Sequence, residues 1–159
     1  MQQKITPNLW FDTEAEEAAE FYISVFPNSR IVSVAHYTEA GPREAGMVMV
    51  VEFELDGQRF VVINGGPDFK FDEAVSLQIN CEDQDEVDHY WEKLLSGGGE
   101  ESQCGWLRDR FGLLWQVTPA GMDELFSDPD PAKAERAMRA MLGMRKLDLD
   151  ALHAAAEGS

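Results

Sequence analysis

Two stretches of the chain repeat one plan: NLWFDTEAEEAAEFY at residues 8–22 and SLQINCEDQDEVDHYW at residues 76–91. Each reads as a short strand, an acidic helix start and an apolar pair that closes the helical stripe, Phe21-Tyr22 in one and Tyr90-Trp91 in the other. A repeat constrains the fold strongly, because the chain must build the same supersecondary unit twice. Thr13-x-x-Glu16 and Asp83-x-x-Glu86 both suit a helix N-terminus, where the first residue caps backbone N–H groups and the acid meets the positive helix end. β material follows each helix. RIVSVAHY and GMVMVVEFEL read as strands, and Asp56-Gly57 is a hairpin turn into QRFVVIN. In the second half GGGEESQCGWLRD supplies strand material and LLWQVTP closes the unit. The expectation is an α+β chain of two βαβββ modules, residues 1–70 and 71–120, joined near GGPDFKFDEA. A helical tail over 121–159 completes one structural domain. Helices alternate with strands only once per unit, which argues against a doubly wound parallel sheet.

In the tail, Asp130 caps a helix that begins at Pro131, a position tolerant of proline. Met138, Met141, Leu142 and Arg145 fall at helical spacing and form a packing stripe toward the modules or a partner subunit. LDLDALHAAAE is a further short helix.

Charge and cysteine usage narrow the function classes. Across 159 residues, 13 basic and 30 acidic side chains leave a net charge of -17. Such a surface repels phosphate backbones and anionic lipid, so neither nucleic acid nor membrane is expected as a partner. Two cysteines, Cys81 and Cys104, imply no disulfide framework. No stretch reads as a signal peptide or reaches the ~18 apolar residues of a membrane span. A cytoplasmic protein is expected.

Strand alternation sends successive side chains to opposite faces. Ile5, Leu9 and Phe11 oppose Thr6, Asn8 and Trp10. Val75, Leu77 and Ile79 oppose Ser76, Gln78 and Asn80. Leu113, Trp115 and Val117 oppose Leu114, Gln116 and Thr118. Val61 and Ile63 oppose Phe60, Val62 and Asn64. In each strand one set suits a position beneath a helix. The other sets carry uncharged polar groups mixed with Trp10 and Phe60, a lining suited to a ligand cavity rather than to bulk water. Gln116, an amide inside an otherwise apolar strand, is expected to point into that cavity.

LWFDTEAEEAAEFYISVFPNSRI, INGGP, SLQINCEDQDEVDHYW, CGWLRDRFGLLWQVTP and DPDPAKAERAMRAMLGM together resemble the PhnB-like branch of the vicinal oxygen chelate superfamily, which includes glyoxalase I, bleomycin-resistance proteins and extradiol dioxygenases. The resemblance runs from about Gln3 to Ala155. It implies the glyoxalase fold, with paired βαβββ modules curling around a cleft in a homodimer. It also implies a divalent metal held by His and Glu from the first and last strands of each module. Carried over by motif, the second-module histidine position falls on Ser76 and the glutamate position on Gln116. The first-module positions fall among Ile5–Pro7 and Val61–Asn64, which hold no His, Asp, Glu or Cys. A hydroxyl and amides lack the charge or basicity that offsets a cation's lost hydration, so no metal or other cofactor is expected.

Elsewhere the sequence offers little chemistry. A single imidazole at His36 makes neither a metal site nor a triad, His89 lies among helix acids, and His153 sits in the tail. Cys81 and Cys104 have no sequence-adjacent base to activate them. Glu52 and Glu54 read as exposed edge carboxylates. The methyltransferase name that travels with the family finds no support, since no glycine-rich turn follows the first strand of a parallel sheet. The expectation is a protein that binds a small molecule, with aromatic compounds among the candidates, through Asn8, Trp10, Asn64, Ser76, Asn80, Trp106 and Gln116. Rival readings are a metal-dependent lyase, isomerase or dioxygenase with a relocated site near His36, and a partner-binding protein whose cleft is vestigial.

Overall fold

A computed structural model describes residues 3–158. The chain forms two compact units, one running to Lys70 and the other starting at Phe71. In the first, β1 (Asn8–Phe11), α1 (Ala15–Val25), β2 (Arg30–His36), β3 (Val48–Leu55) and β4 (Gln58–Asn64) build a sheet of order β1-β4-β3-β2. The second repeats it with β5 (Leu77–Cys81), α2 (Gln84–Leu95), β6 (Glu100–Glu101), β7 (Trp106–Arg108) and β8 (Leu114–Pro119), in the order β5-β8-β7-β6. Each sheet is mixed: its first and last strands pair in parallel and the other pairs are antiparallel. The expected α+β architecture of two βαβββ modules followed by C-terminal helices is the one observed. No helix among the described residues is long and apolar enough to cross a membrane.

Local chemistry explains the turns and most helix starts. Asp56 and Gly57 both take positive φ, 48° and 82°, the two-residue hairpin whose twist matches its strands. Asp83 accepts a hydrogen bond from the Glu86 N–H at 2.9 Å, and the Glu86 carboxylate reaches back to the Glu82 N–H at 2.7 Å. Helix α2 thus begins with a reciprocal cap. Helix α1 does not use Thr13 in that way. Its flanking residue Glu14 makes no side-chain cap, and the Ala15 N–H donates instead to Asn64 Oδ1 at 2.8 Å.

Asn64 therefore needs correction from cavity lining to structural junction. It pairs with Phe11, lies on the same sheet face as Phe60 and Val62, and is 2% exposed. Its amide N–H₂ donates to the Val48 carbonyl at 3.0 Å. Its own carbonyl accepts from the Tyr37 hydroxyl at 2.6 Å and from Arg43 at 3.4 Å. The reason is register. Leu9, Phe11, Val51, Phe53, Phe60 and Val62 form the covered face beneath Ala15, Ala18, Ala19, Tyr22 and Val25 of α1, so Asn64 falls on the helix side.

The same packing recurs in the second unit, where Cys81, Leu107, Trp115 and Val117 lie beneath Val87, Tyr90, Trp91 and Leu94 of α2. Ile5 and Val75, read from alternation as core residues, precede their strands and are 83% and 70% exposed. Glu52 and Glu54 lie on β3, which is interior to its sheet, and pair with Arg59 and Arg30 rather than standing free at an edge.

In the tail, α3 (Met122–Phe126), α4 (Pro131–Leu142) and α5 (Leu149–Glu157) close a separate core of Met122, Leu125, Ala137, Leu147, Leu152 and Ala156. Asp130 caps α4 as expected, accepting from the Ala132 N–H at 3.0 Å. The packed stripe of α4 is Ala137, Ala140 and Met141, with Met144 just beyond its end, while Met138 and Leu142 are exposed. Small residues at 137 and 140 let α5 approach, and Arg136 donates to the carbonyls of Ala155 and Ala156 at its C-terminal end. Gln84 ties the tail to α2, donating to the Leu147 carbonyl and accepting from the Leu149 N–H, both at 2.9 Å.

Asn64→Ala removes the α1 cap and leaves the Val48 carbonyl without its donor. A loss of about 2–4 kcal/mol in chemical denaturation is expected. Thr13→Ala, at a position that does not cap the helix, should change stability by less than about 0.5 kcal/mol.

Candidate functional site

In the second unit, parity along three strands gathers the polar side chains on the face turned away from α2. Trp115 points under the helix, where its indole N–H donates to Asp109 Oδ2 at 2.8 Å. Asp109 is 2% exposed and accepts in addition from the backbone N–H groups of Phe111 and Leu113 through Oδ1, at 2.8 and 3.1 Å. This turn fixes the direction of β8, so Gln116 projects to the opposite side. Trp106, Gln116 and Gln78 pair across β7, β8 and β5, and Asn80 pairs with Thr118 one step further along.

These groups interact in dyads. The Gln116 amide donates to the Ser76 hydroxyl at 2.9 Å, and the Gln78 amide donates to Asn80 Oδ1 at 2.8 Å. Ser76 and Gln116, placed by motif at the metal-holding positions of the second module, thus face and touch each other. Arg108 is the cation on this face. It is held by Glu73 at 2.5 Å and by the carbonyls of Gly112 and Phe71 at 3.2 and 3.5 Å, with Glu100 opposite it across the ladder.

The first unit arranges the corresponding positions differently. Val61 pairs with Asn8 as Gln116 pairs with Gln78, which makes Val61 and Thr6 the counterparts of Gln116 and Ser76. Asn8 is exposed and donates to the Thr6 carbonyl at 3.0 Å. Trp10 is half-buried and fixed: its indole N–H donates to the Gly66 carbonyl at 2.8 Å, and its ring meets Phe69 edge-on at 5.0 Å. A Cβ on Gly65 would lie 2.2 Å from the Trp10 ring, so glycine is required there. NGGP is accordingly a structural motif in which the amide caps a helix, the first glycine admits an indole and the second supplies its acceptor.

Of the seven residues expected to bind a ligand, Ser76, Asn80, Trp106 and Gln116 share one face in the second unit, and Asn8 and Trp10 share one in the first. Asn64 lies on the covered side. Gln78, left out of the expected set, belongs with Gln116 by register. Asp109 was not singled out, although its place before a tight Arg-Phe-Gly turn is a sequence signal for side-chain capping of backbone N–H groups.

The donor chemistry does not fit the divalent metal that the fold implies. Hydroxyl and carboxamide groups occupy the second-unit positions, threonine and valine those of the first, and none brings charge or imidazole basicity. Among the described residues, no group of three or more His, Cys, Asp or Glu side chains is placed to hold an ion. His36 is exposed at the end of β2, opposite Val48.

Cys81 is buried in the covered face, and burial first, then the charges of Glu86 and Asp83, push its thiol up to about 12 from its ordinary 9.0. The folded state therefore holds this proton more tightly than the unfolded chain. Its contribution is intact below pH ~9 and is lost between about 9 and about 12 as pH rises. Folded protein at pH 8 should consume one equivalent of iodoacetamide, at half-buried Cys104, and Cys81 should react only on denaturation; mass spectrometry of the tryptic peptides reads both.

Comparison with known proteins places this geometry in a family. The family model described as 3-demethylubiquinone-9 3-methyltransferase matches residues 3–118. Among solved structures, the PhnB protein of Bacillus cereus, described as a 3-demethylubiquinone-9 3-methyltransferase, is 39% identical with a TM-score of 0.67, over 74% of this chain and 100% of its own. Protein PA1353 of Pseudomonas aeruginosa is 18% identical with a TM-score of 0.60, over 74% of this chain and 98% of its own. FosX, a fosfomycin resistance protein of Listeria monocytogenes solved with Mn(II) and sulfate, is 13% identical with a TM-score of 0.53, over 75% of this chain and 90% of its own. These last two share the fold. No curated protein matches the chain. The chain belongs to the 3-demethylubiquinone-9 3-methyltransferase family, to which the PhnB protein is also assigned.

Proposed function

We propose that this protein binds a small organic molecule without a metal ion, using the sheet faces turned away from its helices. The observation that carries the reading is the hydrogen bond from the Gln116 amide to the Ser76 hydroxyl. Two groups at the metal-holding positions of the fold satisfy each other, with no cation needed to hold them together. Aromatic and amide groups in one row offer apolar contact area with orienting hydrogen bonds, the usual composition of a small-molecule site. Ser76, Gln78, Asn80, Trp106 and Gln116 supply this in the second unit, while Asn8 and Trp10 form a smaller set of the same kind in the first, considered by itself.

The methyltransferase in the family description finds no support in the chain. Strand β1 leads into Asp12-Thr13-Glu14, where the common cofactor-binding fold would place a glycine-rich turn. The reading is completed by a homodimer acting in the cytoplasm, whose stoichiometry light scattering measures directly.

A thermal-shift screen of aromatic compounds followed by titration calorimetry tests the proposal. Affinity for a hit should survive EDTA treatment within about twofold and fall about tenfold or more in Gln116→Ala, the loss of one orienting hydrogen bond with a buried partner. Binding that disappears on chelation and returns with Mn²⁺ or Zn²⁺ overturns it, as does affinity indifferent to Gln116→Ala.

A further inference from the structure

The hairpin that joins β6 to β7 is built on a turn that its own residues suit poorly. The Trp106 N–H closes the turn on the Gln103 carbonyl at 3.0 Å, and the Ser102 N–H donates to the Trp106 carbonyl at 2.9 Å. The two central residues, Cys104 and Gly105, both take positive φ, 58° and 85°. The Asp56-Gly57 hairpin of the first unit has the same pair of signs and is made of residues that favour it. Cysteine carries a Cβ and lacks the short amide or carboxylate that steadies Asn or Asp in the left-handed region. Such a conformation persists where the surrounding structure over-determines it.

That surrounding structure is the C-terminal tail. The N–H groups of Cys104 and Gly105 donate to the Met144 and Arg145 carbonyls at 2.9 and 2.8 Å. Gly105 lies against the buried Leu147, and a Cβ on it would meet the leucine side chain at 2.8 Å. The tail segment is in turn anchored on α2, by Lys146 to Asp88 at 2.8 Å and by the two hydrogen bonds of Gln84 to Leu147 and Leu149. Trp106 follows the turn directly as the first residue of β7. It belongs to the face turned away from α2, because its neighbour Leu107 is fully buried beneath the helix.

Resting on the reading of this face as the binding surface, we infer that the tail is its positioning element. Residues 144–147 splint the Cys104-Gly105 turn in a conformation that the turn does not hold alone, and so set where the Trp106 ring stands. Fixing an aromatic side chain in advance lowers the ordering cost that a ligand must offset. Lys146 and Leu147 act on the site through Trp106.

Indole N–H resonances are followed by ¹⁵N–¹H correlation spectra, with the Trp106 signal assigned from Trp106→Phe. The rate at which iodoacetamide alkylates Cys104 at pH 8 is measured on the same samples. In Gln84→Ala/Lys146→Glu, which loosens the tail on α2, the Trp106 signal should shift or broaden while those of Trp10 and Trp115 stay in place. Cys104 should react at least about threefold faster in that variant. Leu147→Ala, which keeps those anchors and removes the side chain against Gly105, should do the same and serves as the test should the double variant not fold. Asparagine tolerates the conformation that cysteine resists, so the Trp106 signal of Cys104→Asn should be the same with and without the tail substitutions. A Trp106 signal unmoved and a Cys104 rate changed by less than about twofold in the tail variants overturn the inference. Movement of Trp10 and Trp115 together with Trp106 overturns it too, as does an equal displacement of Trp106 in the Cys104→Asn background. Should the splint behave as expected while no aromatic compound binds in the screen above, the positioning of Trp106 stands and the binding reading alone falls.

Discussion

A strand has two faces, and each module has one helix to cover one of them. That constraint decides nearly everything else in the molecule. Once α1 lies over Phe11, Phe53 and Val62, and α2 over Trp115 and Val117, the intervening residues of the same strands are committed to the other side. Each covered face admits one conspicuous polar residue, Asn64 in the first unit and Asp109 in the second, both 2% exposed. Each stands where the backbone offers unpaired N–H groups, at a helix start or a tight turn, and each is satisfied by several partners. Left unsatisfied, such a buried group would cost about 1–3 kcal/mol, a large share of the stability of a unit this size.

The sequence conveys the repeat, the Asp-Gly hairpin and the caps of α2 and α4, because each is a local pattern whose physics is complete within a few residues. It fails where register decides. In β4 both parities are apolar, Val61 and Ile63 on one side and Phe60 and Val62 on the other, so alternation alone cannot say which set the helix covers. The answer comes from pairing with β3 and β1, whose Phe53 and Leu9 fix the parity from sequence positions far away. Asn64 went to the wrong side for that reason. Alternation likewise extends past strand ends, where Ile5 and Val75 have no neighbour to pack against. On α4 a stripe of Met138, Met141 and Leu142 suggested the buried face, but the packed side holds Ala137, Ala140 and Met141, while Met138 and Leu142 are exposed.

The two copies of the plan have also diverged in how they begin their helices. Helix α2 is capped by Asp83, three residues from its partner N–H, and so carries its own start signal. Helix α1 borrows its cap from a residue 49 positions away, at the end of the strand that pairs in parallel with β1. The start of α1 is therefore complete only once β1 and β4 are in register, and the cap rewards correct formation of the least local strand pairing in the unit. Tyr37 and Arg43 reinforce the same junction by bonding the Asn64 carbonyl, and Arg43 also pairs with Asp12 in the β1–α1 loop.

Divergence on the open faces bears on chemistry. At corresponding positions of the two open faces the first unit has Thr6 and Val61 and the second has Ser76 and Gln116, so one copy is largely apolar and the other polar but neutral. Polarity without charge is informative. A sheet face merely washed by water has no physical need for amides in dyads, since solvent satisfies it equally well and charged residues keep it soluble. An amide already fixed by a neighbouring hydroxyl presents its remaining oxygen in a defined direction, which lowers the ordering entropy that a ligand must offset. A carboxylate at 116 would have brought a net charge requiring a counter-ion. The carboxamide keeps the shape and the acceptor while removing that requirement, and its N–H bonds directly to the neutral Ser76 hydroxyl.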